Sequence, residues 1–384
     1  MLEKMGPRKY VFPVLIVVLI GCAMSLMFYP MLNMSPKALP FAVLSLDAGA
    51  TTPRGDMNAG RMMADTLITA EVPDGADTAP IAWQLLDSQE AVGEALANNE
   101  LYGVLTIPED FTRLQTLAQA GQGDAPHVSV VLDNAKSPMA ATQMQAALTA
   151  MFDRLQIPAD ISVINTGSAD SAPASPMAGM MSQQIGIMPL MIMSLVGSIL
   201  LTRIFAKRRN DTVGQQFAGL GKKLGYALGL CLLAAVTVVV MLNTLVGADA
   251  PFWTTTIFLW VASFAVTALF IGAFGIAFPL GGAVAFLTVL CGMMTAVLPQ
   301  EMLPGLWADW IHPWAPQHFI GDGIRDILYR GAELMPMGSG GLFLLGGLGL
   351  VLGVLSGVAP GRRGSPEASD SNPADGRESA VNTG

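Results

Sequence analysis

Charge is what this 384-residue chain has least of. Asp, Glu, Lys and Arg make up 13 % of it, against about a quarter of an ordinary soluble domain. With 52 % hydrophobic residues and a mean hydropathy of +0.51, extended disorder is excluded as the main state and a plain soluble enzyme is disfavoured. Basic charge is the scarcer sign. Twenty Lys and Arg against 29 Asp and Glu leave a net charge of −9, which excludes a general nucleic-acid binder. There are three cysteines, Cys22, Cys231 and Cys291, all in apolar runs, so no disulfide is available to the polar part of the chain. No G-x-x-x-x-G-K-[ST] string occurs: before Gly221-Lys222, Gln216 stands where the first glycine belongs. The chain thus lacks the loop that cradles nucleotide phosphates. No G-x-S-x-G elbow or Ser-His-Asp arrangement is visible. Asp309, His312, His318 and Asp322 are interrupted by Pro313 and Pro316, which breaks helical i, i+4 pairing, and no metal site is expected there.

What is present is a set of long uncharged runs. A spanning helix needs about 20 mostly apolar residues. Val11–Tyr29, Ile187–Thr202 (extended backwards by Met180, Met181 and Ile185), Leu224–Ala248, Thr254–Phe278, Ala283–Leu298 and Leu342–Ala359 contain no Asp, Glu, Lys, Arg or His. Six such runs predict six spans, with a tight turn at Pro279–Gly282 between the fourth and fifth. Leu19-Ile20-Gly21-Cys22 resembles a lipobox. The first run nevertheless exceeds the usual 7–15-residue signal core, so an uncleaved anchor is expected. Lys4, Arg8, Lys9, then Arg203, Lys207, Arg208, Arg209, Lys222, Lys223, then Arg362, Arg363, Arg377 fall on one side of this layout, twelve of the twenty basic residues. Basic loops stay inside, which predicts cytoplasmic N- and C-termini.

Between the first two runs, Pro30 to Gln184 holds 17 acidic and six basic residues, a net −11. The acidity therefore belongs to one extracytoplasmic region. Phe41–Leu46, Ile81–Leu86, Leu101–Ile107 and Val128–Leu132 are strand-like. Asp87-Ser88-Gln89-Glu90 signals a helix to about Asn98. Pro108 opens a helix with Phe111, Leu114 and Leu117 on one face, and Ser137-Pro138 opens another that extends to Leu155. Strand and helix alternate, as in a small α/β domain. The expected architecture is an α-helical polytopic membrane protein of six transmembrane helices, with this α/β domain inserted between helices 1 and 2. Its parts are a cytoplasmic 1–10, helix 1 at 11–29, the α/β domain 30–166, a linker 167–184, a five-helix membrane domain 185–359 with an external re-entrant or interfacial segment 301–333, and a disordered tail 360–384.

Leu39-Pro40-Phe41-Ala42-Val43-Leu44-Ser45-Leu46-Asp47-Ala48-Gly49 resembles the "lPvAVVNlDkG" opening of YhgE/Pip-type proteins and related type-2 ABC exporter permeases. Gly60 with Leu67, and Trp83 before Glu90-Ala91, resemble the next steps of that pattern. Tyr102-Gly103-Val104-Leu105-Thr106-Ile107-Pro108-Glu109-Asp110-Phe111 is similar to "yyaaivIPkdFs". Further on, Leu303-Pro304, Pro313 to Pro316 and Gly323-Ile324-Arg325 resemble the "lP…P…g.R" pattern of exporter permeases. Two features depart from it. The long coiled-coil insertion of many YhgE/Pip proteins is absent, and Arg208-Arg209-Asn210-Asp211-Thr212 replaces the superfamily's E-x-G-T string. The resemblance implies the permease half of an ATP-driven exporter, with ATP and Mg held by a separate ABC ATPase. It also implies a second permease as homo- or heterodimer partner, and a hydrophobic or amphipathic cargo.

Three groups of residues follow as candidates. Val213, Gln216, Phe217 and Leu220 share a helical face beside Arg208, Arg209 and Asp211, and the resemblance makes this loop the ATPase-coupling element. Trp307, Trp310 and Trp314 are interfacial in type, and membrane lipid is their expected partner. Ile320, Ile324, Ile327 and Leu328 form an apolar stripe beside Arg325 that is expected to lie in the interface, and the resemblance places this segment at the external gate. Gly349, Gly353 and Gly357, and Gly225 and Gly229, recur every fourth residue, a spacing for helix packing within the subunit or across a dimer. Two other functions compete. A proton-coupled pump places ionisable residues inside its spans, and these spans hold none. A receptor or scaffold displaying the acidic domain for a phage or partner would not need five further spans.

Overall fold

The computed structural model describes residues 18, 21–22, 25–26, 28–52, 55–70, 78–165, 176–206, 212–332, 334, 336 and 338–358, the side chains of 176–183 excepted. The first apolar run, the first part of the expected linker, the Arg208–Asp211 string and the tail from Ala359 onward lie largely or wholly outside these residues.

The polar region folds as a sheet with helices on both faces. Its elements are β1 (Leu39–Ser45), a short β2–β3 hairpin (Ala50–Thr52 and Gly55–Met57), α1 (Ala59–Ile68), β4 (Ile81–Leu85), α2 (Gln89–Ala97), β5 (Gly103–Ile107), α3 (Phe111–Gln119), β6 (Val128–Asp133), α4 (Pro138–Leu155) and β7 (Ala159–Ile164). The main sheet has the order β4-β1-β5-β6-β7. It is parallel except where β5 meets β6. Strand periodicity of two divides β1 between two cores. Leu39, Phe41 and Val43 join Leu105, Val130, Leu132, Leu148 and Phe152 on one face. Ala42 and Leu44 join Val92 and Ala95 of α2 on the other. Ser88 and Ser137 cap α2 and α4 by accepting from Ala91 and Ala140 N–H, which is why both helices start where Ser is followed by helix formers.

The loop after β1 is organised by one carboxylate. Asp47 accepts the Thr112 N–H at 3.1 Å, the Gly49 N–H at 3.3 Å, the Gly60 N–H at 2.9 Å and the Thr112 hydroxyl. Gly60 and Thr112 lie in the first turns of α1 and α3, so two helix N-termini converge on one negative charge. A Cβ on Gly60 would stand 2.6 Å from the Asp47 Cβ, so the approach requires glycine.

The membrane part comprises α5 (Pro176–Ile204), α6 (Val213–Met241, continued by a π-turn to Val246), α7 (Phe252–Ile276), α8 (Phe278–Phe286), α9 (Pro316–Arg330) and α10 (Gly340–Val358). Among the described residues, four helical stretches are long and apolar enough to cross a membrane: Gln184–Ile204, Val213–Val246, Phe252–Ile276 and Gly340–Val358. Of the six expected spans, the first lies largely outside these residues, and the correction falls on the fifth. The fifth run, Ala283–Leu298, is not one helix. Phe278–Phe286 passes into a π-turn at Leu287–Cys291, breaks at Gly292 and resumes as a 3-10 turn at Met293–Ala296. The helix Phe278–Cys291 covers about 21 Å at 1.5 Å per residue, short of a hydrocarbon core of about 30 Å. Pro279–Gly282, expected as a turn, lies inside α8, because the chain reverses two residues earlier at extended Ala277. The expected linker is likewise helical from Pro176.

α7 is the hub. Buried residues make up 78 % of its span, against 28–39 % in the other three, as suits a helix apolar on every side. Ser194 and Ser198 of α5 meet it through a Ser194–Ser263 hydroxyl contact of 3.1 Å and a Ser198 bond to the Thr267 carbonyl at 3.3 Å. Cys231 of α6 donates to the Thr267 hydroxyl at 3.3 Å. Against α10, Gly349 touches the backbone at Ala268 and Leu269, and Gly272 touches that at Gly349 and Gly353.

The Asp47 hub generates a stability test. Burial raises its carboxyl pKa, but the bonds from the Thr112 hydroxyl and the Thr112, Gly60 and Gly49 N–H groups outweigh this and hold it below 3.8. A depressed folded value means stabilisation present above the unfolded pKa and lost as pH falls through the folded one. Asp47→Asn, which turns a donor toward these donors, is expected to cost about 2 kcal/mol at neutral pH. The loss should shrink below about pH 4, where wild type loses the same contribution. Thermal unfolding of the full chain across that range measures it. A pH-independent difference would sink this assignment.

Candidate functional site

The membrane part has two chemically distinct ends. Arg203, Lys222 and Lys223 mark one, and Trp253, Trp310 and Trp314 the other. The sheet sits at the aromatic end, joined by polar contacts. Arg330 closes α9, and Gly331 turns the chain away with φ 64°. Its guanidinium donates to Asp133 Oδ2 at 3.0 Å, to Asn99 Oδ1 at 2.8 Å, and to the Leu96 and Ala97 carbonyls at 3.4 and 3.3 Å. Those carbonyls end α2, where a cation is favoured. The other oxygen of fully buried Asp133 accepts the Ala135 N–H at 2.8 Å and the Asn165 amide at 2.9 Å.

A second contact lies alongside. Lys37 N–H donates to the Glu301 carbonyl at 2.9 Å, and the Tyr102 hydroxyl to Glu301 Oε2 at 2.8 Å. Lys136 Nζ sits 4.5 Å over the Tyr102 ring and donates to the Asn99 and Glu100 carbonyls. Burial, then the Glu301 charge, pushes the Tyr102 phenol well up, so it remains a donor. Met302 enters the sheet core itself. The junction is therefore an extension of the core rimmed by charge-assisted bonds.

Behind it lies the broken fifth run. Gln317 donates its amide to the Thr288 carbonyl. Arg325, paired with Asp322, donates to the Ala296 carbonyl at 3.3 Å, and Thr295 closes on the Gly292 carbonyl at 2.6 Å. Side chains thus take up carbonyls that the interrupted helix leaves free. Two expectations are corrected here. Trp307 is not interfacial: it is buried and stacks on Tyr29 at 5.3 Å, whereas Trp310 is 73 % exposed and Trp314 partly exposed. Ile320 and Ile324 do not face the interface but are wholly buried. Small residues permit this, with Gly186 against Ile324 and Gly323 against the Phe258 ring. His312 and His318 stack at 4.2 Å. Burial, then the neighbouring His318, lowers the His312 pKa to about 4, which keeps it neutral at physiological pH.

At the basic end, Arg208, Arg209 and Asp211 lie outside the described residues. Thr212 forms a capping box with Gln215, accepting its N–H at 3.4 Å and donating backbone N–H to its side chain at 2.9 Å. α6 therefore starts eleven residues before the apolar run at Leu224. Phe217 lies against Gly357 and Leu220 against Gly353, so part of the expected ridge turns inward onto α10. Val213 stays exposed. Gln216, Leu220, Lys222 and Lys223 line an open pocket of about 590 Å³ with Phe205 and Ser356. Gly225 and Gly229 are exposed, with nothing within 4 Å of a Cβ built on either. They stand apart from the Gly349, Gly353 and Gly357 row.

Sequence reasoning missed the Arg330–Asp133 and Glu301–Tyr102 pairs. Its only signals were Glu301 at a span border and Arg330 at a helix end before glycine. Arg330→Met leaves Asp133 buried without its cation and is expected to cost about 3 kcal/mol. Arg330→Met with Asp133→Asn, which retains an acceptor for Ala135, is expected to recover at least about 1 kcal/mol of it, as a coupled pair must. Thermal unfolding of the full chain in nanodiscs measures the cycle, and strict additivity would disprove the coupling.

Comparison with known proteins agrees with this architecture. The family described as ABC-2 family transporter protein matches residues 10–358. No curated protein and no solved structure matches the chain. Four apolar spans among the described residues and a family match over nearly the whole length place it in a membrane. The chain belongs to the ABC-2 family of transporter membrane proteins, the permease subunits of exporters that associate with an ABC ATPase.

Proposed function

We propose that this permease is of the YhgE/Pip-like type and moves a hydrophobic or amphipathic substrate, such as a lipid-like molecule or a drug, out of a bacterial cell. ATP and Mg are held and consumed on the separate ATPase chain, and the permease works beside a second, identical or different, permease. The basic end faces the cytoplasm with both termini, and the sheet lies outside. The loop ending at Asp211 and the start of α6 form the ATPase-coupling element, and the 301–333 segment is the external gate.

The observation that carries this reading is the length of α6. Its 34 residues measure about 51 Å, against about 30 Å of hydrocarbon. Part of the surplus is the polar start before Phe217, which passes the end of α10 at Val358 as a rigid continuation of a span. A push there has a short route through packed contacts. Phe217 and Leu220 bear on Gly357 and Gly353 of α10, and Gly349 bears on α7. Phe258 of α7 bears on Gly323 of α9, which carries Arg330 to the sheet.

Phe217→Asp confounds docking with packing on Gly357, so Val213 is the cleaner probe. Val213→Asp is expected to weaken association with the ATPase that copurifies with the wild-type chain by at least about tenfold, a loss of about 1.4 kcal/mol. Trp310→Ala at the opposite end is expected to leave it unchanged. ATPase retention and stimulated hydrolysis are the measurements. Undiminished stimulation by Val213→Asp overturns the docking role.

A further inference from the structure

Where α6, α7 and α10 meet, a slot opens on the outside of the helix bundle. Leu228 of α6, Trp260 and Phe264 of α7, and Phe343, Gly347 and Leu350 of α10 line a volume of about 330 Å³. Its walls are carbon. The one polar atom of consequence, the Trp260 indole N–H, donates to the Leu228 carbonyl at 2.9 Å, so the ring turns only its apolar face to the slot. The floor is made by missing side chains. Gly346 backs onto Ala265, and a Cβ on Gly347 would meet nothing within 4 Å. Leu228, Phe343 and Leu350 form an exposed rim.

Position restricts what can enter. Trp260 and Gly347 lie roughly 10–12 Å along their helices from the aromatic end, inside a hydrocarbon core about 30 Å thick. Water is absent at that depth, and an unfilled slot forfeits dispersion contacts along its whole lining. A second helix, about 10–12 Å across with its side chains, would rest on the exposed rim of Leu228, Phe343 and Leu350 and leave the glycine floor unfilled, whereas an extended methylene chain is narrow enough to pass between these side chains and equally apolar. We propose that the slot binds the acyl chain of a bilayer phospholipid, held as a resident lipid between α6, α7 and α10. The proposal stands independently of the coupling role of Val213 and of the cargo.

The test uses the full chain in phosphatidylethanolamine–phosphatidylglycerol nanodiscs doped with a phospholipid bearing a diazirine on one acyl chain. Photolabelled residues are read by mass spectrometry. Leu228, Phe264 and Phe343 are expected to label about tenfold above Leu233 and Val240, exposed residues elsewhere on α6, a ratio equivalent to about 1.4 kcal/mol. Gly347→Ala, whose methyl meets no neighbour, is expected to keep that ratio, and Gly347→Leu, which fills the slot, to reduce it to unity. Equal labelling of slot and α6 face overturns the proposal, as does labelling that survives Gly347→Leu or crosslinks joining the slot to a second copy of the chain. Should thermal unfolding show the leucine variant misfolded, the wild-type ratio alone decides.

Discussion

The membrane part is assembled on a contact that only hydrogen atoms can fill. Gly349 of α10 rests on the α7 backbone at Ala268 and Leu269, and Gly272 of α7 rests on α10 in return. Between hydrocarbon-solvated helices there is no hydrophobic drive to associate, so close van der Waals packing and interhelical hydrogen bonds must hold them. The glycines supply the first, and the Ser194–Ser263 and Cys231–Thr267 contacts supply the second. With α7 held on several sides, each neighbour has a fixed place. α5 and α6 bond to its polar residues, and α9 seats Gly323 on Phe258. Any side chain at Gly349 separates two backbones, and the displacement spreads to every element that α7 carries.

The sheet is fixed to that assembly by a different kind of force. Asp133 is wholly buried, and a buried carboxylate is tolerable only when its lone pairs are used. Within the sheet, among the described residues, it receives the Ala135 and Asn165 donors. Arg330, arriving from the membrane part, completes the set. The sheet therefore carries a charge whose satisfaction depends on α9 being in place. This is a specificity device more than a source of net stability: an alternative orientation of the sheet leaves Asp133 and Glu301 without Arg330 and Tyr102.

Legibility in the sequence divides along the same line. Local signals are clear in the strands, where Leu39, Phe41 and Val43 alternate with Ala42 and Leu44. The helix starts at Ser88 and Ser137, and the apolar spans at α5, α6, α7 and α10, are clear too. The resemblance around Leu46-Asp47-Ala48-Gly49, Gly60 and Phe111 also has a physical basis, since Asp47, Gly49, Gly60 and the neighbouring Thr112 meet at one carboxylate. What does not show is anything that depends on a distant partner. Arg330 and Asp133 are 197 positions apart, and Tyr102 and Glu301 are 199. Nothing in Trp307 itself distinguishes it from Trp310. One finds Tyr29 to stack on and the other stays exposed. Hydropathy measures transfer from water, so it could not tell the intact span of α7 from the interrupted Ala283–Leu298.

That interruption explains residues that otherwise look misplaced. In a bilayer, irregular backbone survives only where protein shields it and its freed polar groups find partners. From Thr288 to Leu298 the chain leaves α-helical geometry, and most of it is buried. The partners come from α9: Gln317 for the Thr288 carbonyl and Arg325 for the Ala296 carbonyl. This accounts for an amphipathic α9 whose apolar face is buried by Ile320, Ile324 and Ile327 while its polar residues point into protein as well. Apart from Thr295, which closes on the Gly292 carbonyl within the break, the partners come from one helix, and that same helix ends in Arg330. The broken span and the sheet are consequently tied to a single rigid element. A movement of α9 large enough to release the Ala296 carbonyl must also strain the bonds of Arg330 to Asp133 and Asn99, so the two ends of α9 cannot yield independently.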